Sequence, residues 1–519
     1  MKPFRVGLCQ LEAHDLEDAE TALQEILRAL DEAGEAGAQL VGIPECSYPA
    51  YYLRDSDPYA RPGVRPFAEV SALLAEKARQ HGYWLAAGIA RPFGDGKLAN
   101  SALIFDPNGE CRGHYDKSFL WHFDSNWFER GTSFPVWETE FANFGVLICA
   151  DGRQPEVARS LVLNGAEVIL DLTAWVSSGA DPAALSNPQC EYMMPARAFE
   201  NGVWVAAADK WGTEAGSIVY AGRSTVIDPL GRVRVCAPSQ ESLVLTYDLE
   251  PIEAPLVPRR PSLPMYRRLV EPLAPGAFEE HLELRTLDPG QPSARVAVVP
   301  SAGSFDAAAM VNRFRDLRAQ QADLVVFGGD DGPEGWQVEL LTLERAVSEL
   351  GGAIVLGVTT TGCSVHQSVV LLTAAGCTYE HVATHGRGIQ LGETGSPVIP
   401  TPVGWIGMMC GDEGLVPEVA RHMLNDADLI AWPVFGTHPM LDVIARTRAD
   451  ENRLFVAAAW QGGGVVSAPT GAPLAVSPRG SGIAMTATVH PALAHYKEMA
   501  PGTHVVDGRV PEAYGALVR

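Results

Sequence analysis

Short apolar runs alternate with longer stretches whose apolar residues recur about every 3.6 positions along the first half of the chain. The short runs predict strands at Phe4–Cys9, Leu40–Ile43, Trp84–Ile89, Ser101–Phe105, Phe144–Cys149, Val168–Leu172 and Val203–Ala207. The periodic stretches predict helices at Leu16–Ala36, Phe67–Arg79 and Pro155–Asn164, the last with proline in its first turn. Interleaved strands and helices indicate a layered α/β fold.

The second half of the chain repeats the first. The segment GVLICADGRQPEVARSLVLNGAEVIL, from Gly145, corresponds to GMMCGDEGLVPEVARHMLNDADLIAW, from Gly407. Three more pairs follow the same order: AGAQLVGIPE with QQADLVVFGG, ARAFENGVWVAAAD with ARTRADENRLFVAAAW, and RRPSLPMYRRL with GRVPEAYGALV. Four matches in one order indicate a domain duplication.

A proline-rich stretch with few periodic apolar residues joins the two copies, between about Leu249 and Pro292. Its first part, to about Val270, looks like the tail of the first copy. We therefore predict one domain over residues 1–270, a linker over 271–292 and a second domain over 293–519.

The charge of the chain limits its partners. Asp and Glu number 63 against 39 Lys and Arg, which gives a net charge of −24. Such a surface repels phosphate backbones and anionic lipid, and no apolar run reaches the length of about 18 residues that spans a bilayer. We expect neither a nucleic-acid nor a membrane partner. The 47% of apolar residues is typical of a globular protein and excludes a disordered chain.

The nine cysteines include no C-x-x-C pair. Their odd number and scattered positions argue against a zinc ribbon and against a disulfide framework. The N-terminal MKPFRVGLCQLEAHDLEDAE lacks the apolar core of a signal peptide and turns acidic at once. We expect a cytoplasmic, reducing compartment, in which a free thiol can act as a catalyst.

Three polar residues stand beside predicted strands in positions that suit catalysis. Cys149 closes a strand before a turn that leads to a helix, where a thiol is exposed near backbone N–H groups. Glu45 ends a buried strand, where desolvation raises the proton affinity of a carboxylate and suits it to act as a base. Lys117 follows a strand and could stabilise an oxyanion. Taken singly, each has an ordinary interpretation: a buried cysteine, a loop acid and a solvated lysine.

Together, IPE, YDK and ICAD with PEVAR resemble the nitrilase superfamily of carbon–nitrogen hydrolases. The resemblance runs from Val6 to about Leu269 and includes RAFEN and STVIDPLGRV. It implies an α/β fold of two tandem αββα sandwiches and a triad with Glu45 as base, Lys117 as lysine and Cys149 as nucleophile.

Many members of this superfamily carry a second glutamate near the triad. The corresponding place here is Asp124, whose side chain is one methylene shorter. The resemblance therefore leaves two possibilities open: Asp124 still reaches the lysine, or Glu129 or a water takes that part.

The resemblance also implies a mechanism that needs no metal and no organic cofactor. Glu45 takes the proton of Cys149, and the thiolate attacks a carbonyl carbon. Lys117 and the N–H of Ala150 hold the resulting oxyanion. After the nitrogen leaves, water activated by the same glutamate cleaves the thioester. The predicted reaction is hydrolysis of a C–N bond in a small amide or N-carbamoyl compound.

The residues after the nucleophile favour an amide over a nitrile. Members that cleave nitriles usually carry Trp-Glu there, whereas Ala150-Asp151 is similar to the amidase and N-carbamoylase branches. Arg153 falls where carbamoylases hold a substrate carboxylate; alternatively, it pairs with Asp151 or Glu156.

Other hypotheses remain open at this point. Trp175 and Tyr51 either line the pocket or pack in the core. The alternatives to an amidase are a nitrilase, an enzyme that transfers the acyl group to an amine, and a non-catalytic binding or scaffold protein. The presence of all three triad residues disfavours the last.

The second copy keeps the sequence pattern but lacks the triad. Gly329 replaces the glutamate, no lysine stands between Gly362 and the turn after Cys410, and either Cys410 or Gly411 aligns with Cys149. We interpret this copy as non-catalytic. Superfamily members pair two sandwiches through the helix after the cysteine and the helix carrying RAFEN. We therefore predict that the two halves pair within the chain as a pseudo-dimer, which leaves further homo-oligomers open.

Overall fold

Each half of the protein consists of two stacked sheets with helices on both outer faces. The computed structural model describes residues 1–54, 56–177, 181, 185–274, 276–284, 293–333, 335–361, 364–376, 378–478 and 480–519. In the first half the sheets contact one another through their central strands, and separate pairs of helices pack on each sheet. The second half repeats this arrangement. The predicted fold of two tandem αββα sandwiches is confirmed.

The first half builds its two sheets from strands that are largely parallel at their centres. The strands are β1 (Phe4–Glu12), β2 (Leu40–Tyr48), β3 (Trp84–Gly94), β4 (Lys97–Phe105), β5 (Cys111–Asp116), β6 (Val136–Glu138), β7 (Asn143–Leu147), β8 (Val168–Thr173), β9 (Trp204–Glu214), β10 (Ile218–Ala221), β11 (Thr225–Ile227), β12 (Val233–Cys236) and β13 (Leu243–Leu249). One sheet has the order β5-β4-β3-β2-β1-β13 and the other β6-β7-β8-β9-β11-β12. A short pairing of β1 with β9 joins them.

The second half has the same two strand orders. Its strands are β14 (Ala294–Val299), β15 (Leu324–Asp331), β16 (Ala353–Thr361), β17 (Val365–Thr373), β18 (Thr378–Val382), β19 (Val398–Thr401), β20 (Gly404–Met408), β21 (Leu429–Pro433), β22 (Phe455–Trp460), β23 (Gly463–Ser467), β24 (Pro473–Val476), β25 (Met485–Val489), β26 (Glu498–Ala500) and β27 (Thr503–His504). The sheets run β18-β17-β16-β15-β14-β25 and β19-β20-β21-β22-β23-β24, and β26 pairs with β27.

The helices divide between the outer faces of the sheets. They are α1 (Ala19–Glu35), α2 (Phe67–His81), α3 (Pro155–Leu163), α4 (Met194–Asn201), α5 (Pro264–Val270), α6 (Ala277–Leu284), α7 (Ala307–Ala319), α8 (Trp336–Leu350), α9 (Pro417–Arg421) and α10 (Leu441–Asn452). In the first half α1 and α2 cover one sheet, and α3 and α4 cover the other. Burying the apolar face of α1, with Leu23, Ile26 and Leu30, stabilises the fold by roughly 1.5–3 kcal/mol for each such side chain.

The seven strands and three helices predicted in the first half are all present. Two strand ends differ from the prediction at residues of the predicted triad. β2 continues past Ile43 to Tyr48, but its register with β3 is interrupted between those residues, so Glu45 lies in an irregular stretch. β7 ends at Leu147, so Cys149 belongs to the turn that follows the strand.

The segment predicted as a linker contains structure of its own. Helix α6 lies within it, and Phe278 of that helix packs against Leu424, Val505 and Val506 of the second half. Residues 275 and 285–292 of the predicted linker lie outside the described residues. None of the described helices combines the length and the apolar character needed to cross a bilayer.

A ring of four buried charges connects the halves. Arg197 on α4 lies 2.5 Å from Glu451 on α10, and the equivalent Arg448 lies 2.7 Å from Glu200. Each arginine also pairs with the glutamate three residues further along its own helix, at 2.5 and 2.8 Å. All four side chains are 0% exposed. Two cations and two anions therefore neutralise one another at a place where solvent cannot reach them.

A second set of contacts between the halves is reciprocal in the same way. The two PEVAR segments exchange arginine–glutamate pairs, and the tail of each half reaches the glutamate of the other half's PEVAR segment. The pairs are Arg159–Glu418 (3.0 Å), Arg421–Glu156 (2.8 Å), Arg259–Glu418 (3.1 Å) and Arg509–Glu156 (3.0 Å).

Replacing one member of the buried ring should destabilise the protein strongly. In Arg448→Met, the two glutamates lose a partner at a site with no solvent-exposed surface, which costs roughly 3–5 kcal/mol. We expect a clear fall in the urea midpoint, followed by tryptophan fluorescence. The control is Arg79→Met, because Arg79 pairs with Glu76 on the surface and its side chain is 59% exposed. Equal midpoints for the two variants would contradict the structural role of the ring.

Candidate active site

Lys117 lies between two carboxylates in the interior of the first half. Its Nζ is 2.6 Å from Oε1 of Glu45 and 2.6 Å from Oδ2 of Asp124, and the three side chains are 0% exposed. Asn100 donates a further hydrogen bond of 2.6 Å to the same oxygen of Glu45. Asp124 also accepts the backbone N–H of Trp121 at 2.8 Å. The shorter side chain of Asp124 thus reaches the lysine directly.

Cys149 occupies a strained turn directly after β7. Its φ of +48° lies in the left-handed region, which costs a non-glycine residue free energy and persists only where the surroundings impose it. Asp171 on β8 accepts the N–H of Cys149 at 2.9 Å, and Gln189 donates to its carbonyl oxygen at 2.5 Å. Both backbone polar groups of Cys149 are therefore hydrogen-bonded, which fixes the backbone that carries the thiol.

Asp151 ties this turn to the segment that carries Lys117. One carboxylate oxygen accepts the N–H and the hydroxyl of Ser118, at 3.1 and 2.7 Å, and the N–H of Phe119 at 2.8 Å. The other accepts the hydroxyl of Tyr115 at 2.7 Å and the N–H of Ile148 at 3.0 Å. The aspartate therefore links the turn that carries Cys149 to the segment that carries Lys117.

Burial shifts the proton affinities of all three triad residues. It raises the pKa of Glu45 even though Lys117 opposes the change. Burial and the charge of Glu45 raise the pKa of the Cys149 thiol, again against Lys117. Burial disfavours the ammonium of Lys117, but Asp124 and Glu45 outweigh it and the pKa of that group rises. The thiol of Cys149 therefore holds its proton more tightly than a solvent-exposed cysteine does, and Glu45 binds a proton more tightly than a solvent-exposed glutamate does.

Cys149 opens into a cleft of about 480 Å³ that both halves line. This volume suits a small molecule. The side chain of Cys149 is largely buried, with 7% of the residue exposed. Lining residues of the first half include Trp121, Cys149, Arg153, Ala174 and Gln189, and those of the second half are Asp450, Arg453, Thr470, Met499 and Ala500.

Arg153 takes neither of the two partners considered for it. Asp151 is committed to the turn, and Glu156 pairs with arginines of the second half. The guanidinium of Arg153 instead lies 4.7 Å from the ring centre of Trp121 and 3.7 Å from Oδ1 of Asp450. It lines the cleft, four residues beyond the sulfur.

The other sequence-predicted site residues surround the triad without all reaching the cleft. Ala150 follows Cys149 in the turn and is 1% exposed. Tyr51 is also 1% exposed, with its ring centre 5.7 Å from Nζ of Lys117. Trp175 is completely buried in the core of the first half. For these two aromatic residues the structure favours core packing, while Ala174 and Val176 line the cleft.

Glu129 lies on the surface near the triad. It pairs with Lys97 at 2.9 Å and is 41% exposed, so it does not substitute for Asp124 beside Lys117.

The corresponding region of the second half is filled rather than open. Gly411, with a φ of +55°, occupies the turn position of Cys149, and Cys410 precedes it with no exposed surface. Strand pairing places Gly329 at the position of Glu45, and Ala383 stands where the first half has Lys117. Phe435 packs against both glycines, so closely that a Cβ on Gly329 would lie 2.5 Å from its ring.

Several residues of the site were not identified from the sequence. They are Asn100, Asp171 and Gln189 in the first half and the cleft residues of the second half. Asp171 could have been suspected, because a carboxylate in the apolar run VILDLT needs a specific partner. The wall contributed by the second half carries no motif.

Comparison with known proteins identifies the family. The carbon-nitrogen hydrolase family model matches this chain twice, over residues 5–254 and 291–492. The chain belongs to this family, the nitrilase superfamily, with two copies in tandem.

Individual relatives carry nitrilase and amidase names. A nitrilase from Pyrococcus abyssi is 35% identical over 219 residues, which cover 42% of this chain and 79% of that protein. The omega-amidase NIT2 of Xenopus tropicalis is 30% identical over 255 residues, or 47% of this chain and 88% of that protein. A solved amidase from Nesterenkonia sp. is 29% identical, with a TM-score of 0.43, and covers 48% of this chain and 90% of that chain. By its family, the protein is an enzyme of the carbon–nitrogen hydrolase type.

The environment of Glu45 predicts a shift in the pH profile. The negative charge of Asp124 raises the pKa of Glu45, so Asp124→Asn should lower that pKa. We propose Glu45 as the base of C–N bond hydrolysis; since a base works only when deprotonated, the acidic limb of kcat/KM should move to lower pH, with a reduced plateau. Glu129→Gln is the matched control and should keep the wild-type limb. A limb that moves upward in Asp124→Asn, or an equal shift in the control, would contradict this electrostatic arrangement.

Proposed function

We propose that the first half hydrolyses a C–N bond in a small amide or N-carbamoyl compound through a thioester on Cys149. The observation that carries this proposal is the buried contact of Lys117 with both Glu45 and Asp124, behind a thiol that lines the cleft. Three buried charges in one cluster are costly to the fold, and such perturbed groups concentrate at functional sites.

In the first step the thiol proton of Cys149 passes to Glu45 as sulfur bonds to the carbonyl carbon. The ammonium of Lys117 and the N–H of Ala150 stabilise the oxyanion. The tetrahedral intermediate collapses, the C–N bond breaks, and the nitrogen leaves as ammonia or an amine with the proton from Glu45. The high pKa of the thiol suits this sequence, because the proton has to move during the attack.

In the second step water attacks the thioester carbon. Glu45, again a carboxylate, takes a proton from the water and returns it to sulfur as the C–S bond breaks. The acid leaves and the thiol is regenerated. Lys117 stays protonated throughout, since its two carboxylate neighbours raise its pKa.

The second half acts in this proposal as a structural partner. Its glycines and Phe435 leave no room for a second triad. The reciprocal arginine–glutamate pairs support an intramolecular pairing of two sandwiches, in which a covalent link supplies a high effective concentration. The division into domains 1–270 and 293–519 belongs to this proposal.

The nucleophile can be tested directly. We expect Cys149→Ala to lose amide hydrolysis by at least about 1000-fold, because the covalent route disappears. Cys410→Ala is the matched control and should keep wild-type rates, because Cys410 is buried beside the filled site of the second half. The measurement is ammonia release from simple amides, N-carbamoyl amino acids and the matching nitriles.

Intact-mass spectrometry after an acid quench adds a second readout. The wild type should carry an acyl adduct that hydroxylamine removes, and Cys149→Ala should not. Turnover of nitriles alone would favour the nitrilase alternative, and consumption of amide only with added amine would favour acyl transfer. Unchanged hydrolysis in Cys149→Ala would overturn the mechanism.

A further inference from the structure

The charged groups among the described residues that line the cleft are two arginines and one aspartate. Arg153 comes from the first half, whereas Asp450 and Arg453 come from the second. Nη1 of each arginine lies 3.7 Å from the same oxygen, Oδ1 of Asp450, which is beyond hydrogen-bonding distance. The other oxygen of Asp450 accepts the hydroxyl of Tyr192 at 2.6 Å. One carboxylate is therefore the shared counter-charge of two guanidinium groups, and it forms a hydrogen bond with neither of them at these distances.

The two arginines are also poorly solvated. Their side chains are 8% and 11% exposed, and Nε of Arg453 is buried without a hydrogen-bond partner among the described residues. Burial lowers the pKa of Arg453, and the charge of Arg153 lowers it further against Asp450. The cleft thus concentrates positive charge in a protein whose net charge is −24. A bound anion would satisfy the open donors and relieve the repulsion.

The backbone at Arg453 is a second, independent observation. Arg453 ends helix α10 in the left-handed region, with φ of 53° and ψ of 45°. The equivalent residue that ends α4 is Gly202, with φ of 65° and ψ of 34°. Glycine adopts this conformation without penalty, whereas a side chain makes it costly. An arginine at this position therefore lowers the stability of the fold relative to glycine, the residue that the first half has at the equivalent position.

The geometry points to Arg453 as a specificity-determining residue that, with Arg153, binds a carboxylate of the substrate. This inference rests on the proposed amide hydrolysis. The carboxylate would lie at the end of the molecule distant from the carbonyl that Cys149 attacks. The preferred substrates are then amides that also carry a free carboxylate. The catalytically silent half thereby contributes a substrate contact to the active half.

The test compares two amides of equal chain length, glutaramate and pentanamide, in the full-length protein. Glutaramate carries a carboxylate where pentanamide has a methyl group. The wild type should prefer glutaramate in kcat/KM. Arg453→Met should raise KM for glutaramate by about 10- to 100-fold, the effect of losing a charged hydrogen bond, with little change in kcat. Its kcat/KM for pentanamide should fall much less, so the preference for glutaramate, taken as the ratio of the two kcat/KM values, should shrink by about the same 10- to 100-fold.

Two further variants separate binding from folding. Arg453→Gly should lose the same preference while its melting temperature stays equal or rises, because glycine relieves the left-handed strain. Arg446→Met removes another arginine of α10, which packs over Tyr192 and does not line the cleft, and should keep the preference. Glutarate should also protect Cys149 of the wild type, but not of Arg453→Met, from alkylation by iodoacetamide.

The outcomes distinguish this inference from the function on which it rests. Two results would overturn the role of Arg453 and leave amide hydrolysis standing. One is equal kcat/KM of the wild type for both amides, and the other is an equal fall in kcat/KM for both amides in Arg453→Met. Wild-type protein that hydrolyses neither these amides nor any other amide or N-carbamoyl amino acid would overturn the proposed function itself, and glutarate protection would then still report on the carboxylate site.

Discussion

The contact of the fully buried Lys117 ammonium with Glu45 and Asp124 is the interaction on which the first half depends. At an effective dielectric constant of about 20, each contact of this length is worth on the order of 6 kcal/mol, comparable to the several kcal/mol needed to desolvate an ion. The cluster persists because both carboxylates contact the ammonium directly. The three charged residues of this cluster come from separate strands and loops. Asp151 holds the turn that carries Cys149 against the segment that carries Lys117.

The second half illustrates the loss of this cluster. A lysine without carboxylates, or a carboxylate without its lysine, would leave an unpaired buried charge, so the members can only be lost together. The positions of Glu45, Lys117 and Cys149 hold Gly329, Ala383 and Gly411, and Phe435 fills the volume that these small residues release. The scaffold itself survives, because the sheets and the charged pairs between the halves do not require the triad.

Much of the fold could be predicted from the sequence, because apolar runs and 3.6-residue periods report burial directly. The tandem repeat and the triad residues were also accessible, since each lies in a recognisable motif. Register was harder: an ungapped alignment on PEVAR pairs Cys149 with Gly411, whereas matching the cysteines pairs it with Cys410. The wall formed by Asp450 and Arg453 could not be predicted, because it arises only when two distant halves meet. The ion-pair partner of Arg153, Asp450, was missed for the same reason.

The different residues that end α4 and α10 have an evolutionary consequence. In a dimer of identical subunits, any substitution at this position appears on both sides of the symmetry axis. A side chain at Gly202 would press on Leu256, 3.1 Å from its Cβ position. Fusion of two copies into one polypeptide removes that constraint, so an arginine tolerated on one side need not be tolerated on the other. Joining the copies thus makes available substrate-binding surfaces that twofold symmetry forbids.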